Sequence, residues 1–321
     1  MQLFSPALYK CHRGHRVLHY SHKSDEKSTM ADLFHKQAEF YVEARPSYPD
    51  ELFRFISSKT PKRTRVWDVG TGSGQAAVSV SIYNIHFAFC NLIDCLVNMF
   101  SLSLERFSTQ LAQLYERVVA TDTSPEQLRF APKHANVDYR HTPSAMSLAD
   151  LHRHVAPPST VDLVTVAQAL HWFDHAAFYD QVDSVLAKPG GVLAAWCYTL
   201  PRVDPSVDAV LRRVYAQSNP FWAPERRKVD DEYRTILFSY DPVEGEETTG
   251  PFEFATERTM DLEAYLTYVR SWSAYQTAKE RGVELLTEET VAELERAWGG
   301  DGKLVKAIRF PIFLRIGKVK N

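Results

Sequence analysis

The sequence predicts an α/β fold, a doubly wound sheet of parallel strands joined by helices. Three observations predict it. Short apolar runs alternate with amphipathic stretches through residues 65–198, the pattern of strands linked by right-handed crossovers. The first run leads into a glycine-rich turn, Asp68-Val-Gly-Thr-Gly-Ser-Gly74. The second ends on Asp122, where an acid can reach a ligand held by that turn.

The elements follow in order. A helix-like stretch opens at Met30 and runs through Phe34, Ala38 and Phe40-Tyr41. The prolines of Tyr41-Val-Glu-Ala-Arg-Pro-Ser-Tyr-Pro49 mark a loop. Asp50 is expected to cap a helix over Glu51–Ser57. Arg65–Val69 reads as the first parallel strand, Val118–Asp122 as the second and Val137–His141 as a weaker third. Val161–Ala167 is a further buried strand. Ala176–Leu186 is an amphipathic helix stopped by Lys188-Pro-Gly-Gly191, and Val192–Tyr198 is another buried strand. Beyond Pro201, helices are expected over Ser206–Tyr215, Leu262–Gln276 and Thr287–Trp298, and late strands over Phe252–Arg258 and Phe310–Lys318.

The composition is that of a globular protein: 45% hydrophobic and 24% charged over 321 residues. A formal net charge of −3 argues against a nucleic-acid footprint, which shows as a basic excess. Cys11, Cys90, Cys95 and Cys197 form no CxxC pair and no zinc spacing. No metal site is expected, and isolated thiols fit a reducing, cytoplasmic setting. Residues 1–29 carry basic residues and no acid before Asp25. They read as a disordered or non-native leader ahead of a start at Met30, with an organelle transit peptide as the alternative.

Residues 80–110 break the pattern. In a dinucleotide-type unit the acid ending strand two lies about 20 residues past the glycines, whereas Asp122 lies more than twice that far past Gly70. Removing residues 80–110 restores the expected spacing. It also joins Gly74–Ser79 to Leu111–Glu116 as one helix, with Ala77, Val78, Leu111 and Leu114 on its apolar face. Val80 and Gln110 match the GT and AG ends of an intron, since every Val codon begins GT and one Gln codon is CAG. The segment reads as a translated intron or gene-model error. The rival is a genuine insertion. Asn84, His86, Asn91, Asp94 and Asn98 argue against a membrane span within it.

Glycines at 70, 72 and 74 let a backbone turn sharply and approach a ligand without Cβ obstruction. Gln75 stands where a pyrophosphate-binding GxGxxG would continue to glycine, and the Gly-Lys-Ser/Thr of a P-loop is absent. The turn suits a ligand without pyrophosphate. With these residues the chain resembles the class I S-adenosylmethionine-dependent methyltransferases, and within them the small-molecule group that includes trans-aconitate methyltransferase. The resemblance covers about residues 34–321, apart from residues 80–110. It rests on Tyr41–Pro49, Asp68–Gly74, Asp122, Gln168–Phe173 and Lys188–Gly191 in that order.

The resemblance implies a Rossmann-like, doubly wound mixed sheet of seven strands. A helical cap would come from the N- and C-terminal segments. It divides the chain into a cofactor-binding core over residues 30–200 and an acceptor cap with the last strands over residues 201–321. S-adenosylmethionine is the implied cofactor. Gly70, Thr71, Gly72 and Gly74 would line its methionine and ribose end, and Asp68 would anchor its amino end. Asp122 would accept from both ribose hydroxyls, its alternative being a cap for a helix near Pro125. Thr123 and Ser124 would lie near the adenosine. Relatives carry an acid near Pro143–Ser147 for the adenine amino group. This chain has none there, so Ser144, a backbone carbonyl or water would take its place.

Gln168 and Ala169 follow the strand over Val161–Val166 and would border the cofactor. His171 and Trp172 would border cofactor or acceptor, with His171 the candidate base for an acceptor that needs one. Tyr41, Arg45 and Tyr48 lie in a segment that, in the family, closes over the site, and Arg45 suits a carboxylate. Trp272 and Arg270 are further acceptor candidates in an aromatic stretch that otherwise reads as core. The expected activity is in-line methyl transfer to a small organic acceptor such as a carboxylate, without nucleic-acid or membrane partners. Two alternatives stand beside it. One is a non-catalytic cofactor-binding relative disabled by residues 80–110. The other is a nicotinamide oxidoreductase, disfavoured by Gln75 and by the Gln168–Phe173 block.

Overall fold

A computed structural model describes residues 46–76 and 111–320. Expectations for residues 1–29, for the stretch from Met30 that includes Tyr41 and Arg45, for Cys11, Cys90 and Cys95, and for residues 80–110 lie outside the described residues.

Seven strands form one sheet: β1 (Arg65–Val69), β2 (Arg117–Asp122), β3 (Val137–His141), β4 (Leu163–Ala167), β5 (Val192–Tyr198), β6 (Phe252–Met260) and β7 (Lys306–Lys318). Their order is β3-β2-β1-β4-β5-β7-β6. The first five run parallel, while β7 is antiparallel to both β5 and β6. The helices are α1 (Asp50–Ser58), α2 (Leu111–Leu114), α3 (Pro125–Arg129), α4 (Leu148–His154), α5 (His175–Val185), α6 (Pro205–Ser218), α7 (Arg226–Asp230), α8 (Leu262–Arg270), α9 (Ser273–Glu280) and α10 (Glu288–Trp298).

Helices cover both faces, so the central strands are apolar without interruption. In β5 all seven residues are buried. Val192, Ala194, Trp196 and Tyr198 pack with Leu52, Phe53 and Ile56 of α1, Val207 and Leu211 of α6, and Tyr265 of α8. Leu193, Ala195 and Cys197 face the other way, towards Leu151 of α4, Phe178 and Val182 of α5, and Val229 of α7. The period-two alternation of a strand sorts these residues between two cores. Helix starts are set by local chemistry. Asp174 accepts the Ala176 and Ala177 N–H groups at the start of α5 (3.1 and 3.2 Å), and Asp204 does the same for Ser206 and Val207 of α6. Each such cap contributes about 1 kcal/mol.

Several boundaries differ from the sequence expectation. Pro49, not Asp50, precedes the first turn of α1, because proline presets the extended backbone there. Asp50 instead lies inside the helix and pairs with Arg54 at 3.7 Å. The single helix expected over Leu262–Gln276 is two, α8 and α9. Trp272 is extended between them (φ −67°, ψ 137°) and is 1% exposed. Its indole lies edge-on to Tyr215 and Tyr268, so tertiary packing overrides a continuous helical pattern. Val161 bridges to Leu186 rather than starting β4.

Candidate functional site

Strand order reverses between β1 and β4, whose neighbours run in opposite directions across the sheet. The loops leaving two such strands diverge, and a crevice opens at their carboxyl ends. A cleft of about 450 Å³ lies there, within the usual range for a cofactor site. Gly70, Thr71, Gly72, Asp122, Thr123, Ser144, Gln168, Ala169 and Trp172, all singled out by the sequence, line it together. Tyr48 joins them from the N-terminal side.

The glycine turn is built on left-handed backbone, with φ of 66°, 59° and 81° at Gly70, Gly72 and Gly74. The three glycines have different uses. A Cβ on Gly70 would meet the Ala169 Cβ at 2.9 Å, so this glycine lets the β1 and β4 loops touch. A Cβ on Gly72 would meet nothing closer than 3.9 Å, and its bare backbone faces the cleft. Gly74 makes room for Tyr139, whose hydroxyl would lie 2.7 Å from an added Cβ. Gly74 is absent from the cleft lining.

Asp122 ties the turn to strand two. Its Oδ2 accepts the Gly72 N–H and its Oδ1 accepts the Ser124 N–H, both at 2.8 Å. Ser124, not Asp122, caps α3 by accepting the Gln127 N–H. A carboxylate offers about four acceptor sites, so two on Asp122 remain for the cleft. Burial pushes its pKa up, against the backbone N–H groups that favour the charged form. Asp68 lies beneath the turn rather than on the lining and is fully buried. Thr165, its register partner on β4, donates to its Oδ1 at 2.7 Å. Burial raises its pKa to about 6.

On the β4 side, Gln168 adopts a left-handed backbone (φ 55°). Its side chain extends the sheet: Oε1 accepts the Tyr198 N–H at 2.7 Å and Nε2 donates to the Tyr198 carbonyl at 3.4 Å. Trp172 reaches the cleft over His171, with ring centroids 4.9 Å apart. His171 itself turns inward. It is 5% exposed, its Nδ1 lies 2.9 Å from the Tyr233 hydroxyl, and burial pushes its pKa well below the ordinary histidine value. Burial favours the uncharged imidazole, which lies off the cleft lining. Trp272 lies in the core, and Arg270 pairs with Glu263 at an exposed position (2.6 Å); neither lines the cleft.

Other lining residues carried no sequence signal as site residues. Gln181 of α5 donates to the Met146 carbonyl at 2.9 Å, holding the loop that carries Ser144. Phe173, Phe178 and Met146 supply apolar wall. They read as ordinary helix and loop residues, and only the folding of α5 against that loop puts them in the cleft. The surroundings of the turn also fit a polar ligand. Ser73 Oγ and Gln127 Oε1, both on the cleft lining, are buried and have no hydrogen-bond partner among the described residues. Buried polar atoms are seldom left so, and a ligand carrying amino and hydroxyl groups would satisfy them.

Comparison with known proteins agrees with this geometry. A methyltransferase-domain family profile matches residues 102–195. A Dictyostelium discoideum protein assigned as a methyltransferase is 31% identical over 295 residues, which is 89% of this chain and 95% of that one. A Saccharomyces cerevisiae protein assigned as an S-adenosylmethionine-dependent methyltransferase is 24% identical over 270 residues, covering 73% of this chain and 78% of that one. Among solved structures, one assigned as a type II methyltransferase from Anaeromyxobacter dehalogenans superposes with a TM-score of 0.65 at 31% identity. It covers 86% of this chain and 99% of that one. The mixed seven-stranded sheet, the glycine turn clamped by Asp122 and these relatives together show that this chain belongs to the class I S-adenosylmethionine-dependent methyltransferases.

Proposed function

We propose that this chain transfers the methyl group of S-adenosylmethionine to a carboxylate oxygen of a small organic acid by in-line displacement. The observation that carries the reading is the chemistry of the cleft wall. Among the described residues the lining holds no histidine, lysine or arginine. The two carboxylates on it, Asp122 and Asp174, already accept backbone N–H groups. His171 faces Tyr233 instead. A carboxylate acceptor is ionised at neutral pH and needs no base, unlike a phenol or an amine.

When bound, the cofactor supplies a methyl carbon on positive sulfur, which the acceptor oxygen takes as the carbon–sulfur bond breaks. The protein binds and orients. Gly70, Thr71 and Gly72 border the methionine and ribose end, Asp68 attracts the amino group from beneath the turn, and Asp122 accepts from the ribose hydroxyls. Thr123 and Ser144 border the adenosine. Gln168 and Ala169 flank the sulfur side, and Trp172 bounds the acceptor. Holding oxygen, carbon and sulfur in line supplies most of the rate. The test is labelled-methyl transfer by the full-length chain to a metabolite extract. The expected product is a base-labile methyl ester, formed at saturating cofactor at a rate that is flat between about pH 6 and 8. An N-methyl or phenol ether product would overturn the reading.

We also propose that residues 80–110 are a translated intron, supported by the spacing from Gly70 to Asp122 and by the GT and AG codon ends. Reading the mature transcript tests this; the 31-codon segment present in the transcript of an active enzyme would refute it. A cytoplasmic setting is supported by the free, buried thiol of Cys197.

A further inference from the structure

We infer that Gln168 is a positioning residue: its carboxamide takes over two bonds of the β4–β5 ladder and so sets where the loop carrying Ala169 and Trp172 leaves the sheet. This role holds for any acceptor.

The register of the two strands pairs Ala167 with Trp196. One residue on, the Gln168 N–H donates to the Trp196 carbonyl at 2.8 Å. Continued in that register, the parallel ladder would bring the Tyr198 N–H to the Gln168 backbone carbonyl, and then the residue 170 N–H to the Tyr198 carbonyl. The chain instead turns away at Gln168, with φ 55°. Its side chain fills both places. Oε1 accepts the Tyr198 N–H at 2.7 Å, and Nε2 donates to the Tyr198 carbonyl at 3.4 Å. A left-handed backbone is costly for a residue with a Cβ and persists where its surroundings fix it. Here the fixing contact is the carboxamide. It offers an acceptor beside a donor, which closes on a peptide N–H and C=O; an ionised carboxylate of the same reach offers acceptors alone.

The two walls of the cleft are anchored separately. The glycine turn is tied to β2: the Thr71 N–H donates to the Thr121 carbonyl at 3.0 Å, and the Gly72 N–H to Asp122. The loop after β4 is tied to β5 through Gln168. What Gln168 sets is passed on over a short distance. Ala169 follows it and packs at Gly70, where an added Cβ would lie 2.9 Å from the Ala169 Cβ. The Trp172 N–H donates to the Ala169 carbonyl at 3.0 Å, and Trp172 lies on the cleft. Lys228 holds the far end of the loop at the His171 carbonyl (3.2 Å), but not its exit from the sheet. Loosening Gln168 therefore displaces the wall assigned above to the sulfur and the acceptor, and leaves the ribose wall in place. In-line transfer is sensitive to such a shift, since misplacement by about 1 Å can cost about a hundredfold in rate.

The test uses the full-length chain, labelled S-adenosylmethionine at saturation and a metabolite extract as acceptor. Gln168→Met should transfer label roughly ten- to a hundredfold more slowly than wild type. Its Kd for S-adenosylhomocysteine should stay within about threefold, read by calorimetry. Gln168→Glu should be as slow at about pH 8, where its carboxylate faces the Tyr198 carbonyl. Protonation restores a donor beside an acceptor, and a half-buried site against a carbonyl favours the protonated form. Its rate relative to wild type at the same pH should therefore rise at least about threefold from about pH 8 to 5.5, while Gln168→Met gains nothing. Crystals of Gln168→Met with S-adenosylhomocysteine give a reading that needs no acceptor: residues 169–172 should move, while Gly70–Gly72 and Asp122 stay. An unmoved loop, an unchanged rate, or a loss of cofactor affinity as large as the loss of rate would overturn the role. So would a Gln168→Glu rate that stays low while its urea stability recovers on acidification, because the carboxamide would then serve the fold alone.

Discussion

Replacing Asp122 with alanine probes the point where the turn, strand two and the cofactor sugar meet. The carboxylate already spends one acceptor site on each of the Gly72 and Ser124 N–H groups, at 2.8 Å. Two sites are left for the ribose hydroxyls. Hydrogen bonds to a charged partner contribute about 1.5–3 kcal/mol each. Water replaces part of this at a half-buried position, so we expect a net loss of about 3 kcal/mol, roughly a hundredfold in Kd. The fold should lose less, about 1–2 kcal/mol, because water can reach the two released N–H groups. Calorimetry with S-adenosylhomocysteine measures the first and urea unfolding the second. A deoxyribose analogue of that ligand isolates the sugar contact: its missing hydroxyl should weaken binding to wild type and leave binding to Asp122→Ala unchanged. Equal penalties in both proteins, or an unchanged Kd for the variant, would refute a ribose role for Asp122.

Other outcomes follow from the same geometry. Burial, partly opposed by the Thr165 hydrogen bond, raises Asp68 from 3.8 to about 6. An acid with a raised folded-state pKa stabilises the fold fully below its unfolded value and loses that contribution as pH rises through the folded one. Asp68→Asn titrates nowhere, so it should gain about 3 kcal/mol relative to wild type between about pH 4 and 7, read by urea unfolding at both; a constant difference would refute the shift. An ammonium group beside Asp68 would favour its ionised form, so cofactor affinity should rise with pH through about 6 and then level. Gly74→Ala, at φ 81° and 2.7 Å from the Tyr139 hydroxyl, should cost about 2 kcal/mol in unfolding experiments, with partial recovery in the Tyr139→Phe background. Trp272→Ala should cost about 3–5 kcal/mol, and a fully stable variant that lost only acceptor affinity would return Trp272 to the binding site.

The alternation of apolar runs and helical stretches was legible because both obey local periods, two for a strand and about 3.6 for a helix. That made β1, β5 and the glycine turn readable residue by residue and β2 and β4 readable to within one or two residues, and it put Asp122 and Gln168 at strand ends, where a doubly wound sheet gathers its ligands. Local chemistry also announces a turn that needs positive φ, though not what crowds it. Gly70 yields to Ala169 and Gly74 to Tyr139, and both neighbours are remote in the chain. The direction a side chain takes was decided only by packing. His171 and Trp172 are adjacent, yet one enters the core against Tyr233 and the other reaches the cleft. Trp272 became core because α6 and α9 converge from distant stretches. Burial and long-range contact are properties of the assembled chain, and no window of sequence short enough to show a period contains them.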